Sequence, residues 1–356
     1  MDLHFIMVLF RYMRKYSKMK VKMKRNAITA ISVLCLQHFL VDFICALSLY
    51  QVFFLRRSPE DKGLIYTFCA FALQMPLGIL ADRMVLRQRF SFIYIVLSVI
   101  FLAVGSKCSL ILLGLGNALF HVGGGMITME QDEKNGFAGR GLGSFVAPGA
   151  IGLALGSILN QKILSGIVLL LLALLTLMLY HFTEIKAENP VWKKEGNKAA
   201  VIIMLICFVV VILRSYVSLS VRFAWKDTVW EILLSVILVA LGKAAGGFFA
   251  AKYTLRTAVI VSLLLSAVLF GFGNLPAGGM LAFFFFNMSM PITLYLLAKA
   301  LPELIGFDFG LLTFGLFLGY VFCNYFPVPV TYGNLLGALA SLVSLGMLLI
   351  ALKAGE

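Results

Sequence analysis

Charge is scarce in this chain of 356 residues: 13% are Asp, Glu, Lys or Arg, about half the share of a soluble domain. Acids are scarcer still, 16 against 30 bases. So little charge excludes an ordinary water-soluble globule. The six cysteines (Cys35, Cys45, Cys69, Cys108, Cys207 and Cys323) are scattered, and none forms a CxxC pair. That excludes a disulfide framework and a cysteine-rich metal site. No GxxxxGK[ST] run occurs, so the chain does not itself use ATP. HExxH, GxSxG and a Cys/His nucleophile arrangement are also missing, so an enzyme is not expected, nor is a cofactor. Long polar segments are few, which leaves no room for an attached soluble domain.

What the chain has is apolar residues, 61% of the total, with a mean hydropathy of +0.99. Stretches of membrane-spanning length recur along it. The pattern predicts an all-α polytopic membrane protein with twelve helices at about 27–54, 62–81, 90–106, 109–128, 141–160, 163–182, 199–221, 228–250, 257–274, 277–299, 307–325 and 333–353. Residues 183–198 form a polar linker broken by Pro190, which divides the chain into six-helix halves, 27–182 and 199–356. The N-x-S/T sequon at Asn287 falls inside a span and should stay unglycosylated.

Bases collect where one side of such a bundle would lie. The arm 1–26 holds Arg11, Arg14, Lys15, Lys18, Lys20, Lys22, Lys24 and Arg25; eight bases less Asp2 give it +7. Arg83, Arg87 and Arg89 follow the second helix, the linker holds Lys186, Lys193, Lys194 and Lys198, and Lys252 and Arg256 follow the eighth. With twelve spans these share one side, so both termini are expected in the cytoplasm. Arg56, Arg57 and Lys62 on the first outer loop count against this, partly offset by Glu60 and Asp61; Arg222 and Lys226 also count against it. The net charge of +14 is thus read as an anchor on anionic lipid rather than a nucleic-acid surface. Met19 and Met23 are alternative starts.

Two segments repeat. Gly78 to Arg87 aligns without a gap on Gly247 to Arg256 at an offset of 169 residues, with Gly, Ala, Leu and Arg identical. A duplicated membrane protein of this kind usually places a binding site between its halves. The first segment, with Gly78, Asp82, Arg83 and Arg87, resembles the loop signature of the major facilitator superfamily between its second and third helices. Val85 departs from that pattern, where the family has Gly. The second copy keeps Gly247, Lys252 and Arg256 but has Ala251 for the acid. The six-plus-six layout is similar too. The resemblance covers nearly the whole chain in layout and about 20 residues in motif. Leu36 to Asp42 and Gly116 to His121 look like segments of the fosmidomycin-resistance-like efflux branch, although Val122 stands where that branch has Pro. Asp82 and Arg83, at a helix end, are expected to pair with a neighbouring helix and gate the cytoplasmic side, with Gly78, Arg87, Gly247, Lys252 and Arg256.

Polar groups within a span are expensive, about 2.5–3.5 kcal/mol for a central charge. Here they fall on the first helix (His38, Asp42), the fourth (Asn117, His121), the seventh (Arg214, Tyr216) and the tenth (Asn287), with Gln74 on the second. The first, fourth, seventh and tenth helices line the central cavity in the superfamily that the sequence resembles. His38 and Asp42 are four apart, on one helix face, and such a pair can exchange protons near neutral pH; they are assigned the coupling proton, against a purely structural hydrogen bond. Arg214, Asn117, His121, Tyr216, Asn287 and Gln74 are assigned to cargo. Arg214 fits an anionic cargo, a permanent pair with Asp42, or an outward snorkel. Gly143, Pro148, Gly149, Gly152 and Gly156 on the fifth helix, with Gly310, Gly315 and Gly319 on the eleventh, allow close helix approach. The Gly/Pro run loosely resembles the antiporter signature and tilts the reading toward export. Lys243 is expected to snorkel to the cytoplasmic interface, and Met129 to Lys134 to form a loop.

The expectation is therefore a monomeric secondary transporter in a bacterial-style cytoplasmic membrane. It would move a small anionic or amphiphilic molecule against protons by alternating access, with no resident metal. Uptake of an anionic metabolite, divalent-metal transport through Asp42, His38, Asn117 and His121, and a non-transporting receptor or lipid-handling role stay open as alternatives.

Overall fold

The computed structural model describes residues 3–53, 59–84, 86–159, 163–183 and 198–356, with side chains from residue 21 onward and, in the second helix, from Lys62. The expectations for Val85, for Arg56 and Arg57, for the arm's side chains through Lys20 and for linker residues 184–197 lie outside the described residues.

Among the described residues, twelve helices follow one another. α1 (Leu3–Ser48) runs unbroken through the expected arm and ends in a π-helical turn, Leu49–Phe53. α2 comprises Pro59–Thr67, a π turn at Phe68–Ala72 and Gln74–Asp82. α3 is Arg87–Cys108 and α4 is Leu110–Lys134. α5 is broken at Ala147 into Arg140–Val146 and Pro148–Ile158, because proline supplies no N–H to continue the ladder. α6 is Ile163–Phe182, α7 Lys198–Ser220, α8 Val229–Lys252 and α9 Leu255–Phe270. α10 is broken at Met288 into Pro276–Asn287 and Ser289–Ala300; α11 is Ile305–Tyr325 and α12 Val330–Gly355. Eleven of these are long and apolar enough to cross a membrane, and α9 is apolar but shorter. The fold is an all-α polytopic one.

Two boundaries differ from the sequence expectation for physical reasons. α9 stops at Phe270, four residues early, because Gly271, Phe272 and Gly273 make tight turns and Pro276 opens α10. α4 runs six residues further than expected, so Met129 to Lys134 are helix rather than loop. Two of its acids there, Glu130 and Asp132, are buried and satisfied, while Glu133 is exposed. Glu130 accepts from Arg87 (3.0 Å) and Gln88 (2.7 Å), and Asp132 accepts from the amides of Gly139 and Gly141, both at 2.6 Å.

Within each half, one glycine-lined helix lies against another. Gly152 and Gly156 of α5 meet the α1 backbone at Phe39 and Phe43, and Gly315 and Gly319 of α11 meet α7 at Val211 and Ser215. Between the halves, two seams are backbone against backbone. Gly78 of α2 abuts the carbonyl of Gly306 in α11, and Gly310 abuts Gln74 and Met75. Gly143 of α5 abuts Ala244 and Gly247 of α8. Ala27 and Ile31 of α1 cluster with Phe137 after α4, Gly139 meets Tyr295 of α10, and Arg256 after α8 lies 3.9 Å from the C-terminal Glu356. These contacts define one end of the bundle, here called the basic end.

A Cβ at Gly78 would overlap the Gly306 carbonyl, so Gly78→Ala should destabilise the protein by about 1–3 kcal/mol and lower its detergent-solubilised unfolding midpoint. Gly166→Ala, whose Cβ would meet open space, should leave that midpoint unchanged.

Candidate functional site

The interior of the first half holds a compact polar cluster. His38 and Asp42 stand one turn apart on α1, and Asn117 and His121 one turn apart on α4. His38 Nε2 lies 3.3 Å from Asp42 Oδ2, and the two Nε2 atoms of His38 and His121 lie 2.9 Å apart. Asn117 donates to Asp42 Oδ1 at 3.1 Å, and His121 Nε2 is 3.8 Å from that oxygen. Gly149 of α5 abuts both His38 and Asp42, where any side chain would strike them. The sequence assigned His121 and Asn117 to cargo; the structure brings both onto the His38–Asp42 pair.

The surroundings constrain the hydrogen bonding of the two rings. His38 Nδ1 faces the Phe145 carbonyl at 2.6 Å, and His121 Nδ1 faces the Asn117 carbonyl at 2.9 Å. Carbonyls only accept, so both Nδ1 atoms carry hydrogen. Two bare Nε2 lone pairs at 2.9 Å would repel, so this spacing suits a hydrogen bond between the two rings. His38 and His121 are buried, while the Asp42 side chain keeps 17% of its surface exposed.

His38, Asp42 and His121 also bring ligand-type atoms within 4.8 Å of one another. Two nitrogens on one tetrahedral zinc, bound at about 2.0–2.1 Å, sit roughly 3.3 Å apart. The 2.9 Å separation here suits a shared proton better.

The second half brings two cations to the interior, Arg214 and Lys243. Arg214 of α7 is buried and makes one long contact, 3.5 Å to the Thr293 hydroxyl. Among the described residues it has no carboxylate within ion-pair distance. Lys243 of α8 lies within electrostatic range of both Asp42 and Arg214, and His121 within range of Lys243. It therefore belongs to the interior rather than the interface. Side chains lean toward a helix's N-terminus, and on α8 that direction leads from the Gly143 seam toward Gly149 and Asp42. The sequence reading missed this; Gly242, Gly246 and Gly247 around Lys243 are the signal that this stretch of α8 packs tightly.

Three residues assigned to cargo lie elsewhere. Gln74 is buried in the α2–α11 seam and bonds its own helix at Ala70. Tyr216 donates to the Phe326 carbonyl, 2.7 Å away beyond the end of α11. Asn287 is buried at the α10 break and donates to the Phe283 carbonyl at 2.9 Å.

At the basic end the halves are bonded through the first sequence repeat. Asp82 accepts from the amides of Gly306 (3.0 Å) and Phe307 (2.8 Å), capping α11 from the opposite half. Arg87 bridges Glu130 of its own half and the Glu303 carbonyl of the other, at 3.0 and 3.2 Å. Arg83 is exposed. Among the described residues the second repeat makes no such bridge: Gly247 abuts the Gly139 carbonyl, but Lys252 is exposed beside the Tyr253 ring, and Arg256 is exposed near Glu356.

No protein-family profile matches the sequence, and no curated protein matches it. Solved structures do. The chain is similar to a major facilitator superfamily transporter, FucP, in its outward conformation, with TM-score 0.68, 13% identity, and coverage of 92% of this chain and 99% of that one. It is also similar to a single-substitution variant of the E. coli fucose:proton symporter FucP, with TM-score 0.65, 13% identity and the same coverage. The chain therefore has the fold of major facilitator superfamily transporters.

Nitrogen NMR of histidine-labelled protein should show protonated Nδ1 on His38 and His121 and one proton averaged between their Nε2 atoms. Two unprotonated Nε2 signals at neutral pH would show that the pair holds no shared proton.

Proposed function

We propose that this chain is a secondary active transporter of the major facilitator type, working by alternating access and coupled to protons. The observation that carries the reading is the His38–His121–Asp42 cluster, with Lys243 in electrostatic range both of Asp42 and of the buried Arg214. A buried guanidinium without a carboxylate is a binding site for an anion. The cargo on this reading is a small anionic or amphiphilic molecule held by Arg214. Asp42 and His38 carry the coupling proton, and His121 shares it.

The coupling follows from charge. Anionic cargo beside Arg214 adds a negative charge to a region that water reaches poorly, and a proton taken up by the cluster offsets it. Cargo and proton then stabilise each other's binding, and the halves rock with the site neutralised. The fold likeness to a fucose:proton symporter supports proton coupling.

We assign the basic end to the cytoplasm of a cell membrane, with lipid around a monomer. The bonds from Asp82 and Arg87 then represent a closed cytoplasmic gate, an outward-facing arrangement. The glycine- and proline-rich α5 is the ground for export, which an inward proton gradient drives only if cargo and proton compete for the site. Binding of cargo and proton together, as described above, drives uptake, and the symporter likeness favours that direction.

Flux driven by a pH gradient in proteoliposomes, against a panel of small anions and amphiphiles, tests this. Asp42→Asn should abolish cargo-evoked proton movement, and Arg214→Gln should weaken anionic cargo by about tenfold or more, the scale of a lost charged hydrogen bond. Cargo flux without proton movement in the wild type would remove the proton roles of Asp42 and His38. Inverted against right-side-out vesicles decide direction.

A further inference from the structure

One buried acid has no place in the scheme above. Asp308 lies in the first turn of α11 and is fully buried. Its backbone N–H bonds the Leu304 carbonyl at 2.8 Å, but neither carboxyl oxygen has a hydrogen-bond partner. The other buried acids named above all have donors. Asp82 and Asp132 take backbone amides, and Glu130 takes Arg87 and Gln88.

The groups around Asp308 explain why it stands alone. From α2 it faces Asp82, and from α7 the Cys207 thiol. Arg87 and Glu130 reach as far as Asp82. From α4, Gly125 packs on the neighbouring Phe309 ring. Among the described residues no cation faces it. The helix end that would attract its charge is already taken, because Asp82 accepts from both Gly306 and Phe307. The Gly78–Gly306 and Gly310–Gln74 contacts close the seam against water. A carboxylate at Asp308 would have no donor and would sit near a second negative charge; a carboxylic acid avoids both penalties.

We propose that Asp308 is a second proton-binding site, separate from the histidine cluster, that holds its proton while Asp82 caps α11 and releases it when that cap opens. When the halves part at the basic end, Asp82 leaves, the Gly306 and Phe307 amides are freed, and water enters. The Asp308 carboxylate then gains water and the positive end of α11. One proton passes to water at the basic end for each opening. The closed form binds one proton more than the open form, so acid favours closure and alkali favours opening, by at most tenfold per pH unit. Titration of Asp82 would give the opposite sign, since protonating it weakens the cap and opens the seam in acid.

Backbone hydrogen exchange in the full-length protein reads this without any cargo. Exchange at Gly306 and Phe307, corrected for intrinsic pH dependence, is measured between about pH 5 and 8. In the wild type the open fraction should rise with pH, by up to about tenfold per unit. Asp308→Asn, which matches the neutral acid in shape, should remove that slope, while Asp42→Asn should keep it. Asp82→Ala is the second variant, expected to exchange rapidly with no slope even if Asp308→Asn does not fold. A flat or reversed slope in the wild type, or a full slope in Asp308→Asn or Asp82→Ala, would overturn the proposal. Loss of the slope in Asp42→Asn would assign the effect to the histidine cluster and overturn it equally. None of these outcomes depends on whether the protein transports anything.

Discussion

The constraint on which this structure turns is the shortage of water inside a helical bundle. A buried charge there must find a partner in the protein, hold a proton, or wait for a ligand. Asp42 is met by two histidines and an asparagine, Asp82 by two amides of the opposite half, and Glu130 by Arg87 and Gln88. Among the described residues, Arg214 has no carboxylate partner and the Asp308 carboxyl no hydrogen-bond partner, one group of each sign. Satisfied charges build the scaffold, and unsatisfied ones are where something must still arrive or leave.

Much of the fold was legible because spans in lipid are long and apolar, and the linker interrupts them once. The ends were less legible. Gly271 and Gly273 look like ordinary apolar-span glycines until their turns are seen, and Glu130 and Asp132 look like loop acids until the donors that bury them are in place. In the site, the four-residue spacing of His38 and Asp42 pointed directly to their pairing. That Asn117 and His121 join the same pair depends on the relative height of α1 and α4, which spans do not encode. Lys243 was misread for a related reason: distance along the chain from a helix end does not say which way a side chain leans. Gln74 and Tyr216 show the converse, since a polar residue within or near a span is as readily bonded to its own helix or a neighbouring loop.

The duplication is deeper in packing than in chemistry. α5 on α1 and α11 on α7 both pack through paired glycines, against main chain in the first half and mostly side chains in the second. The ionisable groups have diverged, with acid and imidazole in the first half and Arg214 and Lys243 in the second. The repeated loop has diverged likewise: Asp82 crosses to the opposite half, whereas Ala251 stands in its place in the second copy and Lys252 and Arg256 are exposed.

The seam between α2 and α11 is made of glycines and main chain, and surfaces of that kind carry few knobs to index one helix against the other. They resemble a bearing more than a zipper. The two amide bonds to Asp82, with the Arg87 bond to the Glu303 carbonyl beside them, then act as its detent and give the bearing a preferred stop. In such a device smoothness and position are controlled separately: the glycines set how easily the halves travel, and a few polar bonds at one end set where they rest.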